Sequence, residues 1–112
     1  MADLTEKLEI AAATVVQVIY LAREEGSAAQ TELSEFIDAL NDDEKAHLTA
    51  LAWVGRGAFE PEDYDTAVET AFAEASTPTA SYLMGMPHLA ENLEAGLEAM
   101  GVDVAAEEED FL

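Results

Sequence analysis

The sequence predicts an all-α fold, a small single-domain bundle of five or six short helices. Three observations lead there. Apolar residues recur at helical spacing in segment after segment, and no stretch alternates convincingly with period two. Alanine, the strongest helix former, supplies 22 of the 112 residues. Glycines, prolines and a capping sequence punctuate the chain where helices should start and stop. Leu, Ile, Val and Phe number 26, just above the range in which high charge and low hydrophobicity predict disorder. A chain of this length buries roughly 65% of its unfolded surface, enough for one core. The expected division is an N-terminal extension over residues 1–7, a helical domain over 8–101 and a disordered acidic tail over 102–112.

The first helix signal runs from Ile10 to Glu25, with Leu8, Val15, Val18 or Ile19 and Ala22 on one face and Gly26 as its stop. Asp3 and Glu6 have capping-box spacing, so an earlier start is open. Val16, Tyr20 and Leu21 widen the apolar face almost to a full circle. That places this helix at the centre of the core, the alternative being a homodimer formed through it. Gly26 to Gln30 reads as a linker or a loose start to a second helix carrying Leu33, Phe36, Ile37 and Leu40. Asn41 and Glu44 complete a capping box, with Asp42 and Asp43 in the first turn of a third helix. That helix carries Leu48, Leu51, Ala52 and Trp53 and ends on Gly55 as its C′ residue. It should form a tight hairpin or corner with the second helix.

Pro61 opens a fourth helix whose apolar face is Tyr64, Ala67, Val68, Ala71, Phe72 and Ala75. Ser76 to Thr79 breaks the chain, and Ala80 to Met84 forms a short helix closed by Gly85. Pro87 starts the last helix, with Leu89, Leu93, Leu97 and Met100 inward, Glu91, Glu94 and Glu98 outward, and Gly101 as terminator. Val102 to Leu112 holds five acids and no base, the pattern of a disordered tail.

Charge excludes several functions. Lys7, Arg23, Lys45 and Arg56 are the only bases, against 25 acids, for a net charge of −21. Phosphate backbones need clustered bases to displace counterions, so direct nucleic-acid binding is not expected. Anionic membranes would repel the chain for the same reason. The ordinary reading of the acidity is a solubilising surface or adaptation to high salt; a basic protein partner is the alternative. Cysteine is absent, which removes disulfides, thiolate nucleophiles and thiolate metal sites. The start lacks a signal-peptide pattern, and the longest uncharged apolar-rich stretch, Ile10 to Ala22, is shorter than the roughly 20 residues that cross a bilayer. A soluble cytoplasmic protein without cofactors is expected.

The sharpest chemical feature is Gly55-Arg56-Gly57. A guanidinium between two glycines can be presented on a loop to bind a carboxylate or phosphate in bidentate fashion. The bland explanation is a glycine cap, a turn, and an Arg56 paired with Glu60 or Asp63. Trp53, Tyr82, Met84 and Met86 either line a pocket or belong to core and interface. His47 and His88 lack the spacing that preorganises metal ligands. His47 is expected on the surface, where Asp43 could pair with it, and His88 at a helix start. The acids around Pro61 (Glu60, Glu62, Asp63, Asp65) lack EF-hand spacing and fit the first turn of a helix. No serine sits in a nucleophile elbow. A non-enzymatic interaction module, using Gly55-Arg56-Gly57 and the segment 79–89 to hold a protein partner, is therefore the expected function. The alternatives are a small-molecule or anion sensor anchored by Arg56 with Trp53 or Tyr82 as a wall, and an acidic mimic that blocks a basic protein.

Three segments together, Ala39-Leu40-Asn41-Asp42-Asp43-Glu44, Leu51-Ala52-Trp53-Val54-Gly55-Arg56-Gly57 and Thr79 to Leu89, resemble a known family. It is DUF3775, a domain of unknown function in small bacterial, mainly alphaproteobacterial, proteins. The resemblance spans Leu8 to Gly101. It implies a helical, cytoplasmic bacterial protein and carries no activity, cofactor or catalytic residue.

Overall fold

Seven α-helices follow one another in a computed structural model that describes residues 4–74 and 77–111. They are α1 (Ala12–Arg23), α2 (Ser27–Asp38), α3 (Asp42–Gly55), α4 (Tyr64–Ala73), α5 (Thr79–Met84), α6 (Leu89–Ala99) and α7 (Val104–Phe111). Short 3-10 turns cover Leu4–Lys7 and Pro61–Asp63, and no strand occurs among the described residues. Asp3, Ala75 and Ser76, which carried expectations of a cap, a helical face and a break, lie outside those residues.

The most continuously buried helix is α3, not α1. Every residue from Ala46 to Val54 is buried, because α6 and α4 pack on α3 from different directions. Small side chains make that possible: Ala46, Thr49, Ala50, Ala52 and Gly55 let neighbours approach closely. Helix α1 packs against α6, α2 and α7, and its Val15, Val16, Val18 and Ile19 are fully buried. Of the residues that widened its apolar face, Val16 and Leu21 are buried within the chain and Tyr20 is half-buried. After the link Ala39–Asn41 the chain turns a corner, and α2 packs chiefly against α1 and α5. Of the two readings of Gly26 to Gln30, the start of a second helix holds: the segment is helical from Ser27, with Ala29 buried.

Asn41 starts α3 as the sequence predicts. The Glu44 amide donates to Asn41 Oδ1 (2.8 Å) and the Asn41 amide donates to Glu44 Oε1 (3.0 Å), so two amides without helical partners are satisfied. Asn41→Ala is expected to cost about 1 kcal/mol in urea denaturation. In α6, Leu89, Leu93, Leu97 and Met100 all face inward. Its end is a Schellman motif: Gly101, at φ +93°, donates to the Glu98 carbonyl, and Val102 donates to that of Leu97.

The acidic C-terminal segment is a helix and not the disordered tail expected. The Asp103 carboxylate accepts from the Ala106 amide (3.2 Å) and starts α7, and Val104 is buried. Arg23 then draws α7 down, pairing with Glu108 (3.3 Å) and with Glu94 of α6. Burial, and a hydrogen bond that the protonated Glu94 can donate to Glu108, hold the Glu94 carboxyl above its ordinary range, against the opposing pull of Arg23. Residues 4–8 are also anchored, by Leu4 and Leu8 packed on the core and by Lys7 paired with Asp65 (3.5 Å).

Candidate functional site

Helix α3 reaches its C′ residue two positions later than its first glycine suggests. Gly55 lies inside the helix, Arg56 is the C-cap, and Gly57 at φ +86° is the C′ residue. Gly57 donates to the Val54 carbonyl (3.1 Å) and Ala58 to that of Trp53 (2.9 Å), again a Schellman motif. Gly55 has a different task. A Cβ there would lie 1.7 Å from the Asn92 carbonyl oxygen, and one at Gly96 would lie 2.1 Å from that of Leu51. The two glycines let α3 and α6 touch backbone to backbone. Gly55 is therefore a packing residue rather than part of a presented loop. Arg56 does face solvent, and neither Glu60 nor Asp63 pairs with it.

Trp53 and Tyr82 come together. The Trp53 indole N–H donates to the Tyr82 hydroxyl (2.8 Å), tying α3 to α5. Phe59 stacks on the indole with ring centres 5.7 Å apart, and Tyr82 meets it edge-on at 6.3 Å. This aromatic group closes one end of a groove of about 950 Å³ between α3, the end of α4 and α5. Asp42, Lys45 and Thr49 line its α3 wall, and Phe72 and Glu74 stand on the α4 side. Phe72 (46%) and Tyr82 (38%) are the large apolar side chains left exposed among the described residues. Arg56 lines neither this groove nor the second one, of about 880 Å³, that runs past Arg23, Ser34, Ser81 and His88.

Sequence reasoning missed Lys45 and Phe72. Phe72 falls on the apolar face of α4, which predicts an inward side chain. The buried part of that face is Tyr64 and Ala67 in the first turns, and Phe72 near the helix end stands out. Lys45 shares a face of α3 with Asp42, Thr49 and Trp53, a spacing that could have marked it. Of the four bases, Lys7 and Arg23 are paired; Lys45 and Arg56 make no ion pair among the described residues.

His47 is not on the surface. It sits 3% exposed in the core, because the side of α3 that carries it is covered by α4 and by the N-terminal segment. Its Nε2 lies 3.3 Å from a Glu9 carboxylate oxygen, and Nδ1 lies 2.6 Å from the Tyr64 hydroxyl. With Nε2–H donating to Glu9, Nδ1 accepts from Tyr64 and, at 3.4 Å, from the Glu9 amide. Tyr64 is fully buried, and burial pushes its phenol well up, with the charges of Asp65 and Glu9 adding to the rise. The phenol stays a donor. Asp43 plays no part in this arrangement. His88 caps α6 as expected, but in the left-handed region (φ +58°), exposed and 3.7 Å from Glu91.

No group of three or more histidine and acidic side chains placed to hold a metal ion occurs among the described residues. No helix among them is long and apolar enough to cross a membrane.

No curated protein and no solved structure matches the chain. The sequence model of one family, described as a protein of unknown function, matches residues 30–102, more than half the chain. The matched segment holds the whole groove, Arg56, His47 and Tyr64, and leaves out α1, Glu9 and α7. The three segments noted in the sequence lie within it, and the chain belongs to the DUF3775 family.

Proposed function

We propose that this protein is a non-enzymatic interaction module whose contact surface is the α3–α4–α5 groove, with the Arg56 turn at the far end of α3. One observation carries the reading. Two walls of a single groove, α4 and α5, each leave a large apolar side chain partly exposed, Phe72 on the first and Tyr82 on the second. Single exposed apolar side chains are ordinary on a protein surface; two of them lining one concavity support an interaction site. The segment 79–89 contributes through Tyr82, and the absence of cysteine fits a reducing, cytoplasmic setting.

Purification of the native chain at physiological salt, beside Phe72→Ser, tests it. A partner retained in fixed ratio by the native chain and lost by the variant is expected, with both melting alike. Recovery of the same proteins by both chains would overturn the reading.

An anion sensor anchored by Arg56 is the second reading, favoured by the unpaired, exposed guanidinium. Thermal shift with a panel of carboxylates and phosphates separates the two. The module predicts no shift. A shift abolished in Arg56→Ala would favour the sensor. Without ligand, Arg56→Ala should change stability by less than about 0.5 kcal/mol, since no described contact is lost.

A further inference from the structure

The groove carries information about the chemistry of what fills it. Its α3 side is floored by small side chains, Ala46 and Thr49, and Ala71 faces them from α4. Small side chains at its base leave an open concavity between α3, the end of α4 and α5, in which the apolar face of one further helix can rest. Its apolar walls end in acids, Asp42 at the start of α3 and Glu74 at the end of α4.

The surrounding field points the same way. Lys7 and Arg23 are consumed by internal pairs, so Lys45 and Arg56 are the bases left to offset a surface that carries nearly all of 25 acids. An acidic approaching surface is repelled and a basic one is drawn in. The faces of Phe72 and Tyr82 also attract ammonium and guanidinium groups. Lys45 limits what fits. A positive charge inside the groove repels a uniformly basic run and asks for an apolar or acidic side chain opposite it.

We infer that the groove receives a basic amphipathic helix of a partner protein, its apolar face on Phe72 and Tyr82 and its Lys or Arg side chains reaching Asp42 and Glu74. This rests on the interaction-module reading and names the partner's chemistry.

Trp53 is the chain's single tryptophan and stands in the groove, so its emission reports occupancy. The probes are a synthetic Leu/Lys amphipathic helix, a scrambled peptide of the same composition, and polylysine. The amphipathic helix should give a saturable change in Trp53 emission. Its affinity should fall at least about tenfold in Phe72→Ser, the loss expected when an anchor of a small interface is removed. It should also fall several-fold in Asp42→Asn/Glu74→Gln, and on raising NaCl from about 50 to about 300 mM as screening shortens. The scrambled peptide and polylysine should give no saturable change.

Equal responses to all three peptides, insensitive to Phe72→Ser, would reduce the effect to diffuse charge attraction and overturn the proposal. Absence of any response to the amphipathic helix would also overturn it. If the native chain still retains a partner that Phe72→Ser loses, the module reading stands and only the basic helical partner falls.

Discussion

Gly96→Ala and Gly55→Ala are each expected to destabilise the fold by at least about 3 kcal/mol, the upper end of the cost of overfilling a packed core. That is a melting temperature lower by more than about 12 °C for a domain near this size. The atom a new Cβ would strike is a backbone carbonyl oxygen, 1.7 Å away for Gly55 and 2.1 Å for Gly96. Neither oxygen belongs to a flexible side chain that could swing aside, so the helices would have to separate along the whole α3–α6 interface. Helix propensity alone predicts the opposite sign, since alanine in a helix interior is favoured over glycine by about 1 kcal/mol. Gly57→Ala is the control. A Cβ there meets nothing within 4 Å, and its cost is only the left-handed conformation, about 1–2 kcal/mol. Thermal melts of the three variants decide it. Gly55→Ala melting at or above Gly57→Ala would show that α3 and α6 do not cross as described.

Tyr64→Ala is expected to cost about 3–5 kcal/mol, the range for emptying a large aromatic site in a packed core. Tyr64→Phe separates volume from hydrogen bonding. It keeps the ring and leaves His47 Nδ1 with only the long Glu9 amide contact, at a cost of about 1–3 kcal/mol. The same residue sets a dependence on alkaline pH. Its phenol ionises less readily folded than unfolded, so above about pH 10 the unfolded chain loses this proton first. Stability therefore falls as pH rises past that point, by up to about 1.4 kcal/mol per pH unit from this group. Tyr64→Phe lacks the group, so the stability difference between native and variant should shrink in alkali. Denaturation curves at neutral and alkaline pH measure both effects, and a difference that stayed constant would show that the phenol is not sealed in the core.

What was legible in the sequence was local. The Asn41 capping box, the inward row Leu89, Leu93, Leu97 and Met100, and the stop at Gly101 all depend on neighbours within a few residues. Periodicity also works best for a helix with one covered face. In α3 it was uninformative, because a helix buried from Ala46 to Val54 has no polar stripe to set against an apolar one. His47 was misplaced for that reason. One anchor of α7 is Arg23, 85 residues away from Glu108, and an acidic run shows nothing of such a partner. Gly96 offered a signal that went unread, since a glycine in mid-helix lowers helix stability unless something needs the space it leaves.

The candidate site was half legible. Trp53 and Tyr82 were each marked as candidate wall residues, and the fold bonds them to each other. Gly55-Arg56-Gly57 looked like one motif, yet its three residues do three separate things: close packing, exposure and helix termination. Lys45 and Phe72 stayed hidden because their importance comes from what fails to cover or pair with them.

The glycine crossing has a mechanical consequence for the opposite side of α3. Leu51 and Gly55 press on α6, while Lys45, Thr49 and Trp53 point the other way, into the groove. Rigid peptide groups thus back one bank of the channel, which cannot yield when a guest arrives. Adjustment falls to the α4 and α5 walls, held by side-chain packing, the Tyr64–His47 bond near the start of α4 and the indole–phenol link to α5. Selectivity should reside in the unyielding bank and tolerance of different guests in the movable one.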